Sequence, residues 1–117
     1  MIKGVGVDNV DIFRLNKVYE KWGEKFINKI FSIEEIPSYK DKKSFLNSLA
    51  GKFAAKEAIA KALGNGFRDG LTFKSIKIIK SLSGKPVAIV QNRSDEIMIS
   101  ITHTDKVATA IAIINSD

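Results

Sequence analysis

The sequence contains no cysteine, and it is poor in histidine, tryptophan and proline. Its 117 residues include one histidine, one tryptophan and two prolines. Without thiols the chain has no cysteine nucleophile, no disulfide and no cysteine-ligated zinc or iron–sulfur site. A single histidine and the lack of a G-x-S-x-G sequence give little support to a serine–histidine triad.

The chain also lacks a long hydrophobic run and a signal-like start. No apolar stretch approaches the ~20 residues of a membrane span, and Met1-Ile2-Lys3-Gly4 does not begin a secretory signal. A composition of 44% hydrophobic and 27% charged residues disfavours disorder. Repeats, low-complexity tracts and linkers are missing too. We therefore expect a cytoplasmic protein without a membrane partner, built as one domain over residues 1–117.

Positive charge is in excess, with 19 basic against 13 acidic residues and a formal net charge of +6. Such a balance suits any anionic partner, whether nucleic acid, a membrane surface, a phosphorylated cofactor or an acidic protein. A non-catalytic basic module that binds nucleic acid is therefore one alternative. The sequence shows no aromatic-rich RNA-binding strand signature to support it.

The first third of the chain predicts a strand followed by helices. Met1 to Asp8 has the character of a short strand with Gly4 and Gly6 inside it. From Asp11 onward, apolar residues recur every three or four positions, with a break at Gly23, and they are Ile12, Leu15, Val18, Trp22, Phe26 and Ile30. The opposite face carries Arg14, Lys17, Lys21 and Lys25. Ser32 and Glu35 match a capping box, but Pro37 keeps any helix there short.

The remainder predicts one long helix and then strands. The helix should run from about Lys40 to Leu63, with Gly64-Asn65-Gly66 as its stop. The period then changes to two, which predicts strands over 73–79, 86–90, 97–102 and 107–113. We expect an α+β fold in which an antiparallel meander packs against the long helix and the N-terminal strand joins the sheet.

Chemically, the richest segment runs from Phe53 to Gly64. On a helix Glu57 and Lys61 share a face, and the ordinary interpretation is an exposed ion pair worth about 0.3 kcal/mol. The surrounding alanines, however, leave room for a ligand. Asp8 either caps the following helix, a role for which Asp11 competes, or converges with Glu57. Two carboxylates without histidine or cysteine suit Mg²⁺ and a diphosphate.

His103 lies at a predicted strand end, just before a turn. A single polar histidine there is most often structural or solvated. It can also donate a hydrogen bond to a phosphate, as can the hydroxyls of Thr102 and Thr104. The residues alone leave both interpretations open.

Four blocks resemble the bacterial holo-[acyl-carrier-protein] synthases of the phosphopantetheinyl transferase superfamily in order and spacing. They are Gly4-Val5-Gly6-Val7-Asp8-Asn9-Val10-Asp11, Phe53 to Gly66, Ser83-Gly84-Lys85-Pro86 and Ile99-Ser100-Ile101-Thr102-His103-Thr104. The resemblance implies the 4'-phosphopantetheinyl transferase fold. It further implies Mg²⁺-dependent transfer of 4'-phosphopantetheine from coenzyme A to a serine of apo acyl carrier protein, for fatty acid biosynthesis, by a homotrimer with sites between subunits.

The resemblance also assigns residues. It makes Asp8 and Glu57 the metal-binding carboxylates. Either Glu57 or a metal-bound water near it is our candidate for the base that accepts the serine proton, so Glu57 and Lys61 are the predicted catalytic residues. The remaining positions that match the family's sites are Lys52, His103 and Thr104 for the nucleotide end of coenzyme A, Lys61 for the diphosphate, and Arg14 for the carrier.

Two departures from the family pattern stand beside these assignments. The family often has arginine at the position of Lys52, so this chain lacks a bidentate phosphate contact there. Ser81-Leu82 replaces an Asn-Asp-like pair before the turn at Ser83, and we assign no function to that turn. A metal-dependent phosphohydrolase would use the same carboxylates and is a further alternative.

Overall fold

The computed structural model describes residues 1–39, 41–64, 66–68 and 70–116, and this part of the chain has the predicted α+β character. Two single 3₁₀ turns, Ile33–Glu35 and Phe73–Ser75, punctuate it. The helices and strands are β1 (Ile2–Asp11), α1 (Ile12–Trp22), α2 (Glu24–Ile30), α3 (Lys42–Ala62), β2 (Ile76–Lys80), β3 (Pro86–Val90), β4 (Glu96–His103) and β5 (Val107–Asn115).

The strands form two antiparallel sheets. One has the order β1-β5-β4, and the other is the β2–β3 hairpin. The N-terminal strand therefore joins the sheet as expected, but the single meander is wrong, since β3 and β4 belong to different sheets. The chain turns after β3, where Asn92 has a φ of 64° and the Gln91 amide donates to the Ser75 carbonyl. This turn carries the backbone away from the hairpin before β4 begins.

Helices α1 and α2 are separated at Gly23, which confirms the predicted break. The Asp11 side chain accepts the Arg14 amide at 3.0 Å and so caps α1. The predicted apolar stripe is confirmed at Ile12, Leu15 and Ile30, which are buried, and at Phe26, which packs against the core. It is wrong at Val18 and Trp22, which are exposed. The buried face instead continues through Tyr19, whose ring lies 5.7 Å from that of Phe45 on α3.

Helix α3 begins at Lys42, where Asp41 caps it by accepting the Ser44 amide at 2.8 Å. The predicted start at Lys40 and the Asn65 of the predicted stop lie outside the described residues. Gly64, with a φ of 96°, follows the helix as expected.

The alanine-rich half of α3 lies directly on β1. A Cβ built on Gly4 or Gly6 would lie 1.9 or 2.0 Å from the carbonyl oxygen of Ala62 or Ala58. Only glycine permits this backbone approach, and it brings the end of β1 against the helix face that carries Glu57.

Strand boundaries differ from the predicted ones by up to three residues. β1 extends past Asp8 to Asp11, and β2 begins at Ile76 because Thr72 caps the 3₁₀ turn Phe73–Ser75. In the described ranges, no helix has the length and apolar character that crossing a membrane requires.

Candidate active site

Asp8 and Lys61 meet where β1 passes beneath α3. The Lys61 ammonium donates to Asp8 Oδ1 at 2.8 Å and to the Val7 carbonyl at 3.1 Å. Asp8 therefore does not cap α1, a role that Asp11 takes. Lys61 pairs with Asp8 rather than forming the simple surface pair with Glu57 that its spacing on the helix predicts.

Glu57 is half-buried on the same helix face and close enough to sense the charge of Asp8. Burial raises the pKa of the Glu57 carboxyl, the negative Asp8 raises it further, and Lys61 opposes both. The hydrogen bond to Asp8 raises the pKa of Lys61, so this lysine is held as a cation. Because the two negative carboxylates repel one another, a cation bound between them would stabilise the charged form of both.

This donor set fits Mg²⁺ with phosphate oxygens as additional ligands. Over the described ranges, no cluster of three or more Asp, Glu or His side chains is placed to enclose a metal. Mg²⁺ commonly takes only one or two carboxylates and completes its octahedron with water and substrate phosphates. Asp8 and Glu57 are of the residue types that the protein part of such a site requires, and Lys61 lies beside them.

A cleft of about 510 Å³ lies between α3, β4 and the β2–β3 hairpin. Its volume is in the range that holds a small-molecule ligand. Lys52 and His103 line it together with Tyr39, Ser44, Asn47, Ser48, Gly51, Ile78, Ile79, Lys80, Pro86 and Ile101. Lys52 donates to the carbonyl of Glu35. Partial burial lowers the pKa of Lys52, Glu35 opposes this, and Lys80 lowers the pKa further.

His103 and Thr104 are neighbours at the end of β4, but their side chains make different contacts. His103 is exposed at the cleft, with Nδ1 3.2 Å from the Thr104 carbonyl oxygen. The Thr104 hydroxyl accepts the amides of Lys106 and Val107, each at 3.1 Å, and so stabilises the β4–β5 turn. The described cleft lining includes His103 but not Thr104.

Arg14 is exposed in the first turn of α1. Along the same helix the Lys17 ammonium lies 5.0 Å from the Phe13 ring centroid, and that of Lys21 lies 5.2 Å from the Trp22 ring. This surface is therefore not a purely charged face, because bulky apolar side chains accompany its basic groups.

Sequence reasoning missed four residues around the cleft. Tyr39 and Lys80 line it, and the signal for Lys80 was its place at the end of a strand next to a turn. Glu35 and Lys56 form a fully buried ion pair beside it, at 2.8 Å. No local pattern reports this pair, because its members are 21 positions apart.

Within one chain the predicted site residues fall into two groups. Asp8, Glu57 and Lys61 lie together at β1. Lys52, on α3, lines the cleft with His103, which ends β4, the opposite edge strand of the same sheet. The described lining of the cleft contains none of the three residues over β1.

Comparison with known proteins gives a consistent result. The family model of the 4'-phosphopantetheinyl transferase superfamily matches residues 4–113. A holo-[acyl-carrier-protein] synthase from Halothermothrix orenii is 37% identical over 122 residues, covering 97% of each chain.

Solved structures extend the agreement to the fold. The holo-(acyl-carrier-protein) synthase of Bacillus anthracis, in complex with CoA (3',5'-ADP), superposes with a TM-score of 0.89 at 30% identity, over 100% of this chain and 99% of that one. The Helicobacter pylori synthase in complex with coenzyme A gives 0.84 at 33% identity, over 95% and 99%. These similarities confirm the fold class. The chain belongs to the 4'-phosphopantetheinyl transferase superfamily, among the holo-[acyl-carrier-protein] synthases.

Proposed function

We propose that this transferase moves 4'-phosphopantetheine from coenzyme A to a serine of apo acyl carrier protein, with Asp8 and Glu57 holding Mg²⁺. The observation that carries the proposal is the grouping of these two carboxylates with Lys61 where α3 crosses β1. Its reaction class is that of the relatives, which are named holo-[acyl-carrier-protein] synthase. Two solved relatives are described as complexes with coenzyme A or CoA (3',5'-ADP).

The transfer makes one bond to phosphorus and breaks another. The serine oxygen attacks the phosphorus that carries the pantetheine arm, the diphosphate P–O bond breaks, and adenosine bisphosphate leaves. Asp8 and Glu57 would hold the Mg²⁺, which when bound would supply positive charge against the diphosphate. Lys61, held as a cation by Asp8, adds a point charge on the same side. Positioning and electrostatics suffice for phosphoryl transfer, so no thiol nucleophile is required.

Glu57 also has the character of a proton acceptor for the attacking serine. In the metal-free chain, burial and the charge of Asp8 raise its pKa, and this favours proton uptake by its carboxylate. Lys61 does not pair with Glu57 in a salt bridge that would quench this basicity. A bound cation would oppose this basicity, so we propose Glu57 as a metal ligand and either Glu57 or a water beside it as the proton acceptor.

We assign the cleft to the nucleotide end of coenzyme A. Lys52 and Lys80 give it positive charge, and His103 adds a hydrogen-bond donor at its edge. Thr104 is placed less favourably, since its hydroxyl already accepts two backbone amides, and only its hydroxyl hydrogen is left for a phosphate. Lys52 contributes a point charge rather than a bidentate contact.

The active enzyme is proposed to be a homotrimer with each site shared between two chains. One chain carries its metal ligands and its nucleotide cleft at opposite edge strands of the sheet, so a neighbouring chain can bring the two groups together. The sheet face opposite α3 offers a surface for association. Val5 and Val7, at 58% and 55% exposed, lie there with Ile111 and Met98. Copies of this chain are its proposed occupants, because covering the face would also complete the site.

The carrier is proposed to dock on α1 through Arg14, with Lys17 and Lys21 beside it. Acyl carrier proteins are acidic, and a basic face steers such a partner toward the site. The exposed Val18 and Trp22 on this helix supply apolar contact area that charge alone would not give. We expect no nucleic acid partner for this surface.

The whole chain, residues 1–117, is proposed to act as one domain. Strand β1 pairs with β5 along its length, and the amino group of Met1 donates to the Ser116 carbonyl at 2.9 Å. The two ends of the described chain thus close the same sheet. A location in the cytoplasm stays a prediction.

Mass spectrometry of an apo acyl carrier protein after incubation with coenzyme A and Mg²⁺ tests the reaction. A phosphopantetheine adduct is expected with the parent chain and with Glu24→Gln, a control at an exposed carboxylate on α2. It should be lost with Glu57→Gln. Cleavage of coenzyme A without an adduct would instead indicate a phosphohydrolase, and no reaction with several carriers would favour the nucleic-acid-binding module.

A further inference from the structure

Glu35 is fully buried, and its carboxylate gathers three separate parts of the chain. Oε1 accepts the Lys56 ammonium at 2.8 Å, the Ser32 amide at 3.0 Å and the Ser32 hydroxyl at 3.2 Å. Oε2 accepts the Ile78 amide at 2.8 Å. The carboxylate therefore joins the 3₁₀ turn Ile33–Glu35 to α3 on one side and to β2 on the other.

The main chain of the same residue holds a side chain of the cleft. The carbonyl oxygen of Glu35 accepts the Lys52 ammonium. Ile78, whose amide the Glu35 carboxylate binds, also lines the cleft. Glu35 therefore bonds both Lys52 on α3 and Ile78 on β2, two residues that line the proposed nucleotide cleft.

Lys56, the partner of Glu35, makes further hydrogen bonds. Its ammonium donates to the carbonyls of Ile30 at 2.7 Å and Phe73 at 2.9 Å, in addition to Glu35. The hydrogen bonds of these two buried charges are directional, so they fix how the bonded segments are oriented. An apolar pair of similar volume would fill the same space without fixing that orientation. Proteins in which a buried ion pair is replaced by apolar residues are often at least as stable as the parent. Stability alone therefore does not explain why this chain has the Glu35–Lys56 pair.

We propose that Glu35 is a positioning residue for the coenzyme A cleft, one that sets the distance between the Lys52 ammonium and strand β2. It touches neither the reacting atoms nor the proposed metal ligands, and acts through Lys52 and Ile78. The inference rests on the proposed assignment of Lys52 and the cleft to the nucleotide end.

Glu35→Gln keeps the size of the side chain but cannot keep its contacts. Oε1 and Oε2 both face donors, and an amide presents its NH₂ group to one of them. Either the Lys56 side or the Ile78 side must then open. Glu34→Gln is the matched control, because exposed Glu34 lies in the same turn and also reaches β2, through an ion pair with Lys77 at 2.8 Å.

Steady-state transfer and calorimetric titration with coenzyme A, at a temperature well below the unfolding of each variant, test the proposal. Glu35→Gln should raise both the KM and the Kd for coenzyme A about tenfold, since small displacements of binding groups are costly. The KM for the carrier and kcat at saturating coenzyme A should change less than about twofold. Glu34→Gln should match the parent. A lower Tm with unchanged KM and Kd for coenzyme A would overturn the proposal, because a purely structural role predicts that pattern.

Two further variants separate the possible failures. Lys52→Met tests the cleft assignment: if it leaves the Kd for coenzyme A unchanged, the assignment fails and this inference with it. If Lys52→Met weakens binding, the double variant with Glu35→Gln should be less than additive, and full additivity would refute action through Lys52. Should Glu35→Gln yield no folded protein, Ser32→Ala decides, as it removes one donor to Glu35. It should raise the Kd about twofold, and an unchanged Kd overturns the proposal.

Discussion

Replacing Gly6 with alanine should separate the two elements that bring Asp8 to Glu57. A Cβ at position 6 would lie 2.0 Å from the Ala58 carbonyl oxygen and 2.8 Å from the Ala62 amide nitrogen. Ordinary contact begins near 3.4 Å, so β1 and α3 must part by more than 1 Å. Overpacking of this size costs about 3 kcal/mol. A displacement of about 1 Å at a reacting site also lowers the rate by roughly 100-fold.

Urea unfolding and the carrier transfer assay measure the two effects. Lys3→Ala, at an exposed position of the same strand, should change the free energy of unfolding by less than about 0.5 kcal/mol. The clash involves backbone atoms of α3, so Ala58→Gly in the Gly6→Ala background should not restore stability or rate. Rescue by that truncation, or parental stability of Gly6→Ala alone, would refute the close backbone approach.

The remaining predictions concern the proposed metal ligands, the proposed carrier surface and the proposed assembly. Glu57→Gln and Asp8→Asn should each lose most transfer activity with the fold intact, and near-parental turnover at saturating coenzyme A would remove the metal site from the mechanism. Burial and Asp8 raise the pKa of Glu57, so folding favours its protonated form and its ionisation lowers stability as the pH rises above ~4.3. In EDTA, Glu57→Gln should therefore have a higher Tm than the parent at pH 7, a difference that disappears near pH 4 in thermal melts, and a lower Tm at pH 7 would contradict the raised pKa. Arg14→Glu should raise the KM for the carrier and weaken its salt dependence, leaving the Kd for coenzyme A unchanged, since exposed charges are screened beyond ~8 Å; an unaltered carrier KM would place docking elsewhere. Sedimentation equilibrium should give three times 12.9 kDa, and Val7→Lys should yield monomers with little activity; an active monomer would show that one chain holds a complete site.

Local chemistry made much of the fold predictable. Asp11 is a short polar residue before a periodic run, and it caps α1. Gly23 interrupts that run and separates the helices, and Gly64 follows α3 at positive φ. The change of period after the long helix indicated strands, and all four were found within three residues of their predicted bounds. These features depend on interactions between residues close in sequence, so the sequence alone suffices to predict them.

The candidate site was predictable as a set of residue types but not as a geometry. The spacing of Glu57 and Lys61 predicted a pair on one helix face, whereas Lys61 binds Asp8, more than fifty positions away. A helix period says which residues share a face, and not which strand will lie against it. The same reason explains why Val18 and Trp22, spaced as core residues, are exposed.

By itself the sequence determined the element types, most helix ends and, through its motifs, the family. Only the tertiary structure decided that the strands divide into two sheets, that Glu35 and Lys56 form a buried pair, and that the carboxylates and the cleft lie at opposite edge strands. Caps, turns and periods are set by interactions over a few residues. Ion pairs and clefts form between segments that meet only when burying apolar surface outweighs the entropy of closing long loops, and that balance belongs to the whole chain.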